Sequence, residues 1–462
     1  MAADRRPPSP SPRAPADRGA VLVVALVIMS VLAMGLSSYL TLNLNTARQA
    51  QRAFQQAAAF NLAEAGAEEA LWCFNRAAAG ATDAWNGWTT SGTAAWRPFT
   101  DFALGSATGR VQVHVDQTSL SAGTRPTVVV KATVSSPGVP DVTRYISASL
   151  RRRSRFTNGL LARDAITFSG TNTSVDSWDS DPDNNAATAP VAYGTSVRND
   201  GGIVASLSVQ SRAVLVNQAD IWGYVHTGGA APEVGVNGSV TGRSTPSGVN
   251  VDPARVSTDF SASLPDVTTP TDGTPVASLG ATLGTAGTTT RWRTSSLSLN
   301  GRQTFTVDGN VTLILTAGSG ARALDVTGNA SVIISSGASL TIYTEGNIQI
   351  AGNGLANSNP QPISCLIYGT NTSSGGQSIH IAGNGALRAA VYAPNAEVRI
   401  NGNADVMGAV VGRTIDLTGN AAFHYDEALG DFVADMPFGP ENWRELLTPA
   451  ERSPHESKFT GW

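Results

Sequence analysis

From Ala20 to Ala47 the chain carries no charged side chain, and this one stretch limits the fold more than any other. Twenty-eight helical positions at 1.5 Å each reach roughly 42 Å, more than the roughly 30 Å hydrocarbon core of a bilayer. Nothing later in the 462 residues repeats such a run, so the sequence predicts one membrane-spanning helix at the N-terminus and a large water-facing body behind it. Before it, residues 1–19 form a Pro- and Ser-rich basic leader with Arg5, Arg6, Arg13 and Arg18 against Asp4 and Asp17. Positive charge stays on the cytoplasmic side, which predicts a single-pass topology with the body exported. The helical pattern runs on through Asn43, Arg48, Gln51 and Arg52 without a small-x-small stop, which argues against removal of the apolar segment as an ordinary signal peptide.

The length suggests two or three domains. With 31 basic against 35 acidic side chains there is no broad basic surface, and nucleic acid is not an expected partner. The 47 glycines occur among β-branched runs, which favours turn-dense β structure over disorder. Cys73 and Cys365 fall in different expected domains, and two unpaired thiols are expected rather than a disulfide framework.

Arg18-Gly19-Ala20-Val21-Leu22-Val23-Val24-Ala25-Leu26, followed by Ala63-Glu64-Ala65-Gly66 on one unbroken helix, resembles the N-terminus of PilX-type minor pilins, the type IV pilus assembly proteins. The resemblance covers residues 17 to 75. It implies cutting by a prepilin peptidase between Gly19 and Ala20, an uncleaved anchor being the alternative. It also implies as partners other pilins or pseudopilins met through the helix, the inner-membrane assembly platform and membrane lipid. Major pilins carry glutamate at the fifth mature position, where this chain has Val24. A buried amine without its carboxylate is costly, which points to a low-copy or tip subunit of a type IV pilus or of a related secretion filament.

Further along, Ala53, Phe60, Ala67, Leu71 and Phe74 mark one side of the helix, and Phe60, Leu71 and Phe74 are expected to pack it against a globular domain up to residue 80. Residues 81–105 read as a loop whose Trp85, Trp88 and Trp96 cover that stripe. Alternating strands follow at Arg110–Val115, Pro126–Val134 and Val142–Leu150, giving a small antiparallel sheet over 81–155 closed by Arg151, Arg152, Arg153 and Arg155. The arginine cluster reads as a solvated linker face, with acidic lipid or a partner as the alternative.

From 156 to 430 short Val, Ile and Leu runs are cut by Gly-Asn pairs whose glycines, Gly309, Gly328, Gly346, Gly383, Gly402 and Gly419, stand 19, 18, 37, 19 and 17 apart. Read as one short unit with the long interval counted as two, this spacing predicts a parallel β-helix with left-handed Gly/Asn corners and coil-to-coil Asn hydrogen bonds. An excursion is expected near 243–292, and residues 431–462, with Phe432, Trp443, Leu446 and Leu447, are expected to cap the solenoid's open end. The fold class is thus mainly β, with one long N-terminal helix, a small antiparallel sheet and a parallel β-helix.

Candidate chemistry is sparse. Asp176, Asp179, Asp181 and Asp183 resemble the start of a calcium loop, but Pro190 stands where the twelfth-position glutamate belongs, and Asx turns are the stronger reading. His114, His226, His380, His424 and His455 show no metal-ligand spacing. Asp325, Glu397, Asp405 and Asp416 sit beside expected corners, where Asp is ordinary turn chemistry. With no phosphate-cradling loop or nucleophile elbow, the chain is expected to be a structural, non-enzymatic protein without a cofactor, presenting its β-helix for contact or adhesion. A membrane-anchored envelope scaffold and a glycan-acting β-helix are the alternatives.

Overall fold

A computed structural model describes residues 18–120, 125–152, 154–185, 187–351, 353–383, 387–402, 405–431 and 436–461. Residues 1–17 of the expected leader 1–19, together with Arg153, Asn384, Asn403 and Phe432, lie outside the described residues. The chain is mainly β, with one long N-terminal helix, an antiparallel sheet and a parallel-strand solenoid. It divides into two compact units, one built from residues 1–151 and 440–462 and the other from 152–439.

In the first unit α1 runs unbroken from Arg18 to Ala78. A Schellman motif ends it: Gly80 adopts φ +87°, its N–H donates to Ala77 O, and Ala81 N–H donates to Arg76 O, both at 3.0 Å. Residues 51–78 lie against the sheet through small side chains. Ala59, Ala63, Ala70, Cys73 and Phe74 are buried, as is Gln55. A Cβ at Gly66 would stand only 2.8 to 3.0 Å from Val111, Val130 and Val113, so a glycine is what lets helix and sheet approach there. The buried stripe is therefore rotated from the expected one: Ala53 is exposed, Phe60, Ala67 and Leu71 are half-buried, and Phe74 lies fully inside.

The sheet is formed by β1 (Thr89–Ser91), β2 (Ala94–Leu104), β3 (Ala107–Val115), β4 (Thr127–Ser136) and β5 (Val139–Arg152), antiparallel in sequence order. Strands β1 and β2 replace much of the expected 81–105 loop, because Trp96 and Arg97 pair across to His114 and Val113. Trp85 packs edge-on against both Phe74 and Trp88 at 5.1 and 5.2 Å, and Trp96 stacks on His114.

The C-terminal segment corrects the expectation of a solenoid cap. Strand Phe438–Glu445 is the sixth strand of the small sheet, beside β5, and Leu446 N–H donates to Tyr145 O at 2.9 Å. Helix α2 (Pro449–Glu456) follows, opened by a capping box between Thr448 and Glu451. Leu446 and Phe459 are buried with Val129 and Tyr145, Glu456 accepts from Tyr145 Oη at 2.6 Å and pairs with Lys131 at 3.3 Å, and Trp443 meets Phe60 edge-on at 5.7 Å. In chain order the solenoid unit is thus an insertion between two neighbouring strands of the small sheet.

In the second unit parallel strands stack into coils. One face runs through Thr289–Thr294, Asn310–Leu315, Ser339–Thr344, Cys365–Gly369 and the first half of Leu387–Gly402. A second runs through Leu297–Leu299, Arg322–Val326, Asn347–Ile350, Ser378–Gly383 and the second half of Leu387–Gly402. A short third face comprises Thr282–Leu283, Thr304–Val307, Ser331–Ile334 and Leu355–Asn357. Alternate residues point inward, so Val311, Leu340 and Cys365 form one buried column and Leu313, Ile342 and Ile367 the next.

The coils are less regular than the glycine spacing suggests. Val398 pairs with Ile415 across a short coil, Thr289 with Asn310 across a longer one, and Ile348 with Ile379 across the longest of the three. The wide interval between Gly346 and Gly383 is consequently not two units, because a single long coil takes up most of it. Gly309, Gly328, Gly402 and Gly419 have the left-handed φ expected of corners, whereas Gly346 does not. The corner asparagines mostly hydrogen-bond backbone of a neighbouring coil, as Asn347 Nδ2 does to Gly320 O and Asn395 Nδ2 to Asn371 O; Asn172 to Asn420 is a direct side-chain pair.

Stacking does not follow chain order. Strand Asp405–Gly419 pairs on its far side with Leu160–Phe168, Val410 opposite Leu160 and Ile415 opposite Ile166, and Ala422–Asp426 pairs with Ser174–Trp178. The stack continues through Gly202–Ser206 and Asp220–Thr227 to Val256–Ser257. Residues 258–273, which contain no ladder strand, then return along the outside of the first face to start the sequential stack. This strap is held by Phe260 N–H to Thr227 O, Tyr392 Oη to Pro265 O, Asn395 Nδ2 to Asp266 and Thr269 Oγ1 to Thr370 Oγ1. The expected excursion of 243–292 narrows to this strap, its flanks being ladder strands.

Candidate functional sites

The first candidate is the outer half of α1. Every described apolar side chain from Val21 to Leu44 is exposed, and this is the one helix among the described residues that is long and apolar enough to cross a membrane. Three of its polar interruptions are satisfied within the helix: Ser30, Thr41 and Thr46 hydroxyls donate to the carbonyls of Leu26, Ser37 and Leu42 at 2.8, 2.7 and 3.0 Å. That is the local solution required where water is absent. Gly19 and Ala20 lie within the backbone span of the same helix.

The second candidate is the densest polar cluster of the solenoid, where loop 179–201 folds over strands Ser174–Trp178 and Ala422–Asp426. Asp176 is buried, and both of its oxygens are occupied, Oδ1 by His424 Nδ1 at 2.5 Å and Oδ2 by Tyr193 Oη at 2.8 Å and Arg198 Nε at 2.7 Å. Tyr193 also stacks on His424 at 3.8 Å and meets Trp178 edge-on. Burial raises the Tyr193 hydroxyl pKa, and the hydrogen bond to Asp176 adds to the effect. Beside it, Asp426 accepts from Ser180 N–H and Oγ–H and from Ala428 N–H, and burial pushes its carboxyl up to about 6. Glu427 accepts from Ser177 Oγ at 2.6 Å and Asn199 Nδ2 at 3.1 Å. The arrangement fastens a long loop to the coil ends. Sequence reading found Asp176 but assigned no role to His424, Tyr193 or Asp426, whose partners lie far off in the chain or across an irregular loop.

The four calcium candidates are not gathered around one point. Asp176 serves the cluster, whereas Asp179 and Asp181 accept from the backbone N–H groups of Asp181 and Asn185, and Asp183 accepts from Thr188 Oγ1. Among the described residues there is no group of three or more His, Cys, Asp or Glu side chains arranged to hold a metal ion. Asp325 pairs with Arg322, Asp416 with Arg399, and Glu397 with Arg413, which also holds Asp164. The arginine cluster is engaged as well: Arg151 pairs with Glu441, Arg152 lies over Phe438, and Arg155 over Tyr392. Both cysteines are free and buried, and burial raises their thiols to about 11 for Cys73 and about 12 for Cys365, which keeps them protonated.

A family model described as a domain of unknown function (DUF7305) matches residues 258–432, the stretch from the strap to the end of the last coil. No curated protein matches the chain. Among solved structures, the DUF3494 domain of ice-binding protein 1 from Shewanella frigidimarina is 13% identical, with 60% of this chain and 99% of that one covered, at a TM-score of 0.25. An ice-binding protein from an Antarctic biological consortium is 11% identical, covering 58% and 87%, at 0.24. Likeness at that level assigns no ligand to this chain.

Proposed function

We propose that this chain is a low-copy minor pilin or pseudopilin-like subunit, cut after Gly19, anchored in the inner membrane by α1 and able to pass from lipid into a bundle of similar helices. The observation that supports the reading best is one uninterrupted helix with two kinds of surface. Its first half exposes apolar side chains from Val21 to Leu44, and its second half buries small ones against an antiparallel sheet. A helix that only anchored the chain would need no such rigid continuation into a folded unit. The charge-free run from Ala20 to Ala47, with Val24 at the fifth mature position, supports low copy number, because no carboxylate there can neutralise a neighbour's buried amine. The inserted solenoid is the part offered for contact or adhesion outside the membrane.

Mass spectrometry of the mature N-terminus tests the processing step. A start at Ala20 is expected, and Gly19→Leu should leave the leader attached. An unchanged Met1 or Ala2 terminus in the wild type would favour a permanently anchored scaffold instead.

A further inference from the structure

Along most of the solenoid each strand stacks on one made shortly before it: Ala409 pairs with Ala390, Ala390's neighbour Val391 with Ile367, and Asn310 with Thr289. At one seam the separation is of another order, because Val410 pairs with Leu160, on the opposite side of nearly the whole solenoid sequence. Residues 160–257 form a short stack whose first coil spans more residues than any coil of the sequential stack. Within it Leu160 reaches to Val204, Ser174 to Asp220 and Ile166 to Val214. Short loops close before long ones, and a short stack with one face of its core uncovered is marginal.

What that short stack lacks on its own, residues 405–427 supply. Val410, Ile415, Leu417 and Phe423 pair with Leu160, Ile166, Phe168 and Val175. His424, Asp426 and Glu427 complete the polar groups of Asp176, Ser180 and Ser177. Independently, the matched family domain spans 258–432, the strap and the sequential stack without the earlier coils.

We infer that residues 160–257 are an end cap that docks last: the stack of residues 274–426 forms first and templates it, and the strap is the tether that carries it there. The geometry makes the first-made part of the solenoid the last to fold.

The test is refolding of the detergent-solubilised full chain from urea, with pulsed deuterium labelling read on peptides. Amides of Asn310–Leu315 and Ser339–Thr344 are expected to be protected first, and those of Leu160–Phe168 and Gly202–Ser206 in a later phase, not before Asp405–Asp426. Ile342→Val, in the sequential stack, should slow both phases at least twofold, whereas Ile166→Val, in the cap, should slow only the second. Protection of the cap first, a single phase for both parts, or slowing of Asn310–Thr344 by Ile166→Val would overturn the inference.

Discussion

Asp426 shows how a single residue couples the loop over the coils to pH. Its carboxyl is pushed up to about 6 by burial from an ordinary value of 3.8, so the folded state holds a proton more tightly than the unfolded chain does. The associated stability is fully present below about pH 4 and is lost as pH rises through 6; a difference of that size corresponds to about 3 kcal/mol. Urea midpoints of the solenoid should therefore fall between about pH 4 and 7 by more in the wild type than in Asp426→Asn, where the difference should flatten. Equal pH profiles would contradict the assignment. At the same scale, Gly66 explains a motif that the sequence offered only by resemblance, since its missing Cβ lets three valines of the sheet reach the helix. Apart from Phe74, the helix's buried side was not legible because large apolar residues dominate any hydrophobic pattern. Close packing on β3 and β4 instead selected Ala59, Ala63, Gly66 and Ala70, which carry almost no hydrophobic signal.

At the scale of elements, alternation was a sufficient guide to the helix-facing side of a strand, as in Val111, Val113 and Val115 of β3 or Val128, Val130 and Ala132 of β4, although Gln112 and Val129 on the opposite side are buried too, beneath the C-terminal segment. Gly-Asn punctuation announced the solenoid, but its coils absorb extra residues at corners, so a fixed period misplaced their boundaries. The strand Phe438–Glu445 was not legible at all: its pattern is mostly exposed, and its partner β5 lies far earlier in the chain. That segment nevertheless completes the first unit. Leu446 is fully buried there, and Leu446→Ala should destabilise the small sheet by about 2–5 kcal/mol. Hydrogen exchange in β4 and β5 reads the loss directly. Unchanged protection of these strands would mean that the C-terminal segment is dispensable to the unit.

For the whole molecule, the order of elements along the chain and their order in space part company twice. The solenoid interrupts the small sheet, and its earliest coils stack beyond its latest. Neither fact leaves a local trace, because both depend on pairings between distant strands that are individually ordinary. What the sequence did make plain was the division of labour between an oily helix and a β-rich body, since absence of charge over Ala20–Ala47 needs no tertiary context to interpret. The proposed role requires that helix to be retained as both anchor and plug. Its most direct measurement is fractionation of cells producing the full chain into membranes, sheared surface fibres and free soluble material, with the N-terminal peptide identified in each. The same chain, beginning at Ala20, is expected in the membrane and fibre fractions; a free soluble product beginning beyond residue 36 would overturn the proposed role.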